Sequence, residues 1–159
     1  QTTLSVDDTA GVIAKLHERF PLLQAPAADS ICYATTNRQD AVKEAAPGCD
    51  LFIVVGAPNS SNSKRLVEVA LRAGAKQSML VQRASELDWD QIGAIGTLGI
   101  SAGASAPEVI VEEIIEAFRS RYAATVELAI TAEETENFLV NRELRNVPLT
   151  REDMAFVNG

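Results

Sequence analysis

Leu51-Phe-Ile-Val-Val-Gly-Ala-Pro-Asn-Ser-Ser-Asn-Ser63 decides the fold. Its first five residues form an unbroken apolar run, the pattern of a strand buried on both faces of a parallel sheet. Gly56 and Pro58 then break the run, and the Ser and Asn residues behind them are the types that open helices. Lys64 to Ala73 reads as that helix, starting at about Ser63 or Lys64 and closed by Gly74. Ser78-Met-Leu-Val81 reads as the next strand. Strand, helix and strand in alternation imply an α/β fold with a layered, mainly parallel, right-handed sheet.

The same unit recurs on both sides. Downstream, Ala94 to Ile100 is a Gly-interrupted strand that runs into the turn Ser101-Ala-Gly-Ala-Ser-Ala-Pro107. Pro107 suits a first helical position, and Glu108, Glu112 and Glu113 stand near the positive end of the helix that follows. Val109, Ile110, Ile114 and Phe118 line one face of that helix, and its acidic residues read as a solvated face. Upstream, Asp29-Ser-Ile-Cys-Tyr-Ala-Thr-Thr-Asn-Arg-Gln39 places a strand end at Ile31-Cys32-Tyr33, a Thr-Thr-Asn turn, and a helix from Asn37 to Ala46.

The ends differ in character. Ser5-Val-Asp-Asp8 is a loose capping box, and Val12, Ile13, Leu16 and Phe20 repeat behind it at helical spacing up to Pro21. Leu22 to Ala28 is Pro/Ala-rich and reads as a linker. After Thr125 an alternating strand (Val126, Leu128, Ile130) precedes a polar tail. The organisation expected is therefore the end of a preceding α/β domain at 1–28, a complete α/β domain at 29–124, and a C-terminal strand and tail at 125–159. The chain opens at Gln1 without methionine and leads straight into a capped helix, so it is expected to be a fragment lacking its N-terminal part.

Composition narrows the function. The 159 residues are 47% apolar, enough for a proper core. A net charge of −8 and a pI near 4.7 speak against nucleic acid, which needs basic patches. They leave small anions open, because helix N-termini bind phosphate without net positive charge. No apolar run approaches the ~20 residues of a membrane span. The two cysteines, Cys32 and Cys49, make no disulfide framework and fit a reducing cytoplasm. Their spacing matches no zinc or ferredoxin pattern.

In a parallel sheet the turns after the strands gather on one edge. Cys32, Thr35 and Thr36 are thus expected to face Ser60, Ser61, Asn62 and Ser105. Ser60 to Ser63 supply hydroxyl donors, and Gly103 with its small neighbours lets backbone N–H groups approach a ligand closely. Many donors with little charge suit a diphosphate. The same residues also serve as plain helix caps, and Cys32 alone suits a small buried hydrophobe as well as a metal ligand. Cys49 falls at the foot of a strand, on the opposite edge, and reads as structural. His17, the only histidine, reads as solvated, so no Ser–His or Cys–His pair is available. Trp89 reads as packing a loop onto the domain. A stand-alone phosphosugar- or nucleotide-binding module without redox chemistry, and an interaction protein whose turns are only caps, remain alternatives.

Four stretches appear in order at suitable separations: Gln1-Thr-Thr-Leu-Ser-Val-Asp-Asp-Thr9, Ile31-Cys-Tyr-Ala-Thr-Thr-Asn-Arg-Gln39, Asn59-Ser-Ser-Asn-Ser63 and Ala102-Gly-Ala-Ser-Ala-Pro107. Together they resemble 4-hydroxy-3-methylbut-2-enyl diphosphate reductase, the LytB family, up to about Ala124. The resemblance implies three similar α/β domains around a central cavity. It implies reductive removal of a hydroxyl from an allylic diphosphate, giving isopentenyl and dimethylallyl diphosphates, the last step of the non-mevalonate isoprenoid pathway. It implies a 4Fe–4S cluster held by three cysteines with one iron open, Cys32 matching the third cysteine. Thr2 matches the threonine that contacts the substrate hydroxyl. Ser60, Ser61, Asn62 and Ser105 match the diphosphate-binding residues. The other two cysteines, an acidic glutamate and diphosphate-binding histidines are expected upstream, in the missing part. One cysteine of three cannot hold the cluster, so this chain alone is expected to be inactive. A ferredoxin- or flavodoxin-type electron donor is implied, as is a cytoplasmic location.

Overall fold

The computed structural model describes residues 4–24 and 33–129. β1 (Leu51–Val55) lies at the centre of a three-stranded parallel sheet ordered β2-β1-β3, between β2 (Ser78–Val81) and β3 (Leu98–Ala102). Ile53 stands opposite Met79 on one side and Ile100 on the other. No residue of β1 is more than 1% exposed. Burying side chains of this size favours folding by about 1.5–3 kcal/mol each.

The pleat of β1 divides these side chains between two cores. Phe52 and Val54 pack with Val42 and Ala46 of α2 (Tyr33–Ala45) and its end, and with Leu66, Val69 and Ala70 of α3 (Ser61–Ala73). Leu51, Ile53 and Val55 pack with Ile92 of α4 (Trp89–Ile92) and with Ile114 and Phe118 of α5 (Glu108–Arg119). The chain runs from β1 through α3 to β2, then back across β1 to β3. Reversing direction at constant hand puts the second crossover on the opposite face, which is where α4 lies. On that face Trp89 meets Phe118 edge-on at 5.0 Å, Arg121 stacks over the indole at 4.3 Å, and the Tyr122 hydroxyl donates to the Gly93 carbonyl at 2.7 Å.

Two contacts set β3 in place. Gly99 lies beside Phe52, and a Cβ there would collide with the buried ring and press on the Cys49 sulfur. At the foot of the sheet the Asp50 carboxylate accepts from the backbone N–H groups of Gly96 (2.7 Å) and Thr97 (3.0 Å), and from Lys76 Nζ (2.7 Å). These bonds tie the approach of β3 to the start of β1. Lys76 first, then the two amides, lower the Asp50 pKa to about 2.

α1 (Val6–Arg19) is held by its first turn. Ser5 caps it, and the Gln39 side chain accepts from Val6 N while donating to the Leu4 carbonyl. Asp7 pairs with Lys43, and Asp8 bridges Arg65 and Arg72 of α3 at 3.0 and 3.1 Å. The Ser5 hydrogen bond, then Arg72, lower the Asp8 pKa. Beyond that turn Val12, Ile13, Leu16 and Phe20 are exposed, so the apolar face expected from the sequence exists but nothing among the described residues covers it.

Several expectations are corrected. Tyr33 begins α2 instead of ending a strand, and Thr35, Thr36 and Asn37 lie inside that helix instead of in a turn. The segment between Leu22 and the helix is described only to residue 24, and Ile31 and Cys32 lie outside the described residues. α3 starts at Ser61, a little earlier than expected, and Pro107 caps α5 from just outside it. Ser101 belongs to β3, which runs Leu98–Ala102 instead of 94–100, so the last turn starts at Gly103. Val109 is 64% exposed, and Val111 takes the place expected for it against the core. Glu113 is not merely solvated, because it accepts from Ala84 N at 3.0 Å and anchors the turn after β2. Residues 126–129 form no strand, with Leu128 84% exposed, and Ile130 lies outside the described residues. Without a described strand beside them, these residues have no ladder in which to satisfy their backbone.

Gly99→Ala should lower the urea-unfolding free energy by about 1–3 kcal/mol through overpacking against Phe52, measured at equilibrium by circular dichroism. Asp50 has a folded pKa of about 2, below the ordinary carboxylate value of 3.8, so its contribution is fully present above about pH 4 and is lost as pH falls toward 2. Asp50→Asn should therefore flatten the fall of the urea midpoint between those pH values, the bonds from Gly96, Thr97 and Lys76 being weakened at every pH.

Candidate functional site

β1 and β3 are neighbours, yet the helices that follow them lie on opposite faces of the sheet. The crevice outside the carboxyl ends of such a strand pair is where open α/β sheets bind ligands. The turn 56–60 forms one wall and the turn 103–107 the other. Gly103 N donates to the Val55 carbonyl at 2.8 Å and Gly56 N to the Val81 carbonyl at 3.0 Å, so both turns leave the sheet in register.

Ser63 joins them. Its side chain is 1% exposed, and a Cβ on Gly56 or on Gly103 would collide with its hydroxyl. These glycines are needed for close approach. Neither appears among the glycines with positive φ. The Ser63 hydroxyl donates to Ser60 Oγ at 3.0 Å, and Ser63 N donates to the same oxygen at 3.2 Å. Ser60 is thereby the side-chain cap of α3, and its carbonyl accepts from Lys64 N at 3.1 Å. The amides of Ser61 and Asn62 precede that first intrahelical bond and are open to another acceptor. No acidic residue stands in the first turn of α3. α5 has no side-chain cap and carries Glu108 in its first turn, so α3 is the better end for an anion.

The site residues expected from the sequence divide as follows. Ser60 is half-buried and Ser61 exposed at the start of α3, and Ser105 is exposed in the facing turn. Asn62 keeps a buried Oδ1 with no hydrogen-bond partner, a costly state that a bound group or a turned amide would relieve. Ser63, expected among the outward hydroxyl donors, is turned inward and serves Ser60 instead. Thr35 is buried in α2. Thr2 and Cys32 lie outside the described residues. The closeness of Gly56 and Gly103 to Ser63 had no signal in the linear sequence beyond the residue type.

Cys49 does not suit a metal. It is buried at the foot of β1, donates to the Ala45 carbonyl at 3.1 Å, and burial, then the Asp50 charge, push its thiol pKa up. Among the described residues no three His, Cys, Asp or Glu side chains come together as a metal site, and no helix is long and apolar enough to cross a membrane.

The chain is 84% identical over all 159 residues to a 4-hydroxy-3-methylbut-2-enyl diphosphate reductase of Rhizobium johnstonii, covering 48% of that protein. It is 72% identical, again over its whole length, to a reductase of the same name from Brucella anthropi, covering 45% of it. The structure of the E-1-hydroxy-2-methyl-but-2-enyl-4-diphosphate reductase from Plasmodium falciparum is similar with a TM-score of 0.79 at 30% identity, over 99% of this chain and 47% of that one. The chain thus spans about half the length of the curated relatives it matches. A family model described as LytB protein matches residues 1–119, and the chain belongs to the LytB family.

Proposed function

We propose that this chain is the part of a 4-hydroxy-3-methylbut-2-enyl diphosphate reductase that holds the substrate diphosphate and one ligand of its metal centre. The observation that carries the reading is the crevice between the β1 and β3 turns. There the capped start of α3, free of acidic residues in its first turn, carries Ser60, Ser61 and Asn62 at one turn, and Ser105 lies in the facing one.

In this reading the Ser60, Ser61 and Ser105 hydroxyls, the Asn62 amide and the open amides of α3 donate to the diphosphate oxygens. Charge-assisted bonds of this kind are stronger than neutral ones. Fixing the diphosphate fixes the allylic end of the substrate, so the contribution of this chain is positioning. Thr2 contacts the substrate hydroxyl. Removing that hydroxyl consumes an electron pair and protons and releases water, with electrons from a ferredoxin- or flavodoxin-type donor. The cofactor is a 4Fe–4S cluster ligated by Cys32 and two cysteines absent from this chain, which supplies Lewis acidity and electrons. With a single ligand the chain alone holds no cluster and is inactive. Residues 1–28 end a preceding domain, and the uncovered stripe of Val12, Leu16 and Phe20 supports that division. Residues 29–124 form a complete domain, and 125–159 follow it as a tail. The cytoplasm is the compartment proposed, since an iron–sulfur cluster and free thiols need reducing surroundings.

The test is iron and labile sulfide per chain, purified without oxygen, in the full-length Rhizobium johnstonii relative carrying this segment in place of its matching part. A cluster should be present there, absent from the isolated chain, and lost with turnover in Cys32→Ser. A cluster-free chimera would reduce Cys32 to a core thiol and leave a phosphate-binding module as the better account. In the same chimera Ser105→Ala should raise KM about tenfold, the value of one hydrogen bond to a charged group. Its thermal midpoint should not move, because Ser105 is exposed.

A further inference from the structure

Ser63 is the buried polar side chain at the crevice that no ligand could reach, and the reading above gives it no task. We propose that Ser63 is a positioning residue that makes the Ser60 hydroxyl an obligate donor toward the bound anion; the inference rests on the diphosphate reading. A serine oxygen has two lone pairs and one proton. At Ser60 the Ser63 N–H engages the oxygen at 3.2 Å and the Ser63 O–H at 3.0 Å. With both lone pairs engaged, Ser60 has only its proton left to offer. An acceptor such as a diphosphate oxygen satisfies it, whereas a ligand donor finds no lone pair there.

The geometry keeps Ser63 in this role. Its side chain is 1% exposed, and it is boxed by Gly56 and Gly103, where any Cβ would collide with its hydroxyl. Among the described hydrogen bonds its hydroxyl donates to Ser60 Oγ. The chain Ser63 O–H to Ser60 O–H to anion also polarises in one direction, so each bond strengthens the next. Ser60 alone could cap α3 with one lone pair and turn its proton freely. Ser63 removes that freedom before the ligand arrives, which lowers the ordering cost of binding.

A double-mutant cycle tests this, with inorganic diphosphate titrated calorimetrically into the chimera described above. Ser60→Ala is expected to weaken binding about tenfold and Ser63→Ala about fivefold. In the Ser60→Ala background Ser63→Ala should change nothing, because its effect passes through the Ser60 hydroxyl. Equal weakening by Ser63→Ala in both backgrounds would mean that Ser63 acts only through the fold and would overturn the proposal. Tight binding by Ser63→Ala beside weak binding by Ser60→Ala would overturn it too, leaving the diphosphate site intact. If the unsubstituted chimera fails to bind diphosphate, the site reading itself falls, and this inference with it. Should Ser63→Ala unfold, Ser63→Cys, slightly larger and a poor donor, decides by the same comparisons.

Discussion

β1 is sealed on both faces, and everything else follows from that. A five-residue strand no more than 1% exposed must find a hydrogen-bonding neighbour on each edge and an apolar layer above and below. β2 and β3 meet the first demand. α2 with α3, and α4 with α5, meet the second. Phe52 and Val54 feed one core while Leu51, Ile53 and Val55 feed the other, so a register slip of one residue in β1 would exchange the contents of both. The details that look local serve this strand. Gly99 clears space for the Phe52 ring, and Asp50 ties the approach of β3 to the start of β1.

The crevice is a by-product of the same topology. The chain crosses from β1 to β2 on one face and returns to β3 on the other, so the helices following β1 and β3 part company at their carboxyl ends. Two glycine-led turns stand at that divide. Ser63 reaches both turns, and its hydroxyl is spent on Ser60 and not on solvent. Building a donor array from capped helix ends and hydroxyls, with no acidic residue in the first turn of α3, suits an anion in a chain whose net charge is −8.

α1 stands apart from this economy. Its first turn is bound by Gln39, Lys43, Arg65 and Arg72, whereas its apolar stripe meets nothing among the described residues. Charged and amide contacts fix direction well but bury little. Such exposed pairs contribute on the order of 1 kcal/mol or less each.

The linear sequence disclosed whatever depends on near neighbours. The apolar run of β1, the closing Gly74 of α3 with its φ of 111°, and the Ser5 cap were all legible, because each follows from residue type at short spacing. The hydroxyl-rich turns were legible as a class for the same reason. Tyr33 to Asn37 misread as strand end and turn, since β-branched and polar residues at a helix start look alike in either state, and packing of α2 on α3 decided the matter. The alternation at Val126 and Leu128 promised a strand that has no neighbour to pair with among the described residues. Which hydroxyls face outward was beyond the sequence altogether. Ser60 and Ser63 are the same residue three positions apart, and only the convergence of Gly56 and Gly103, residues 47 positions apart in the chain, buries Ser63 while Ser60 stays half-buried.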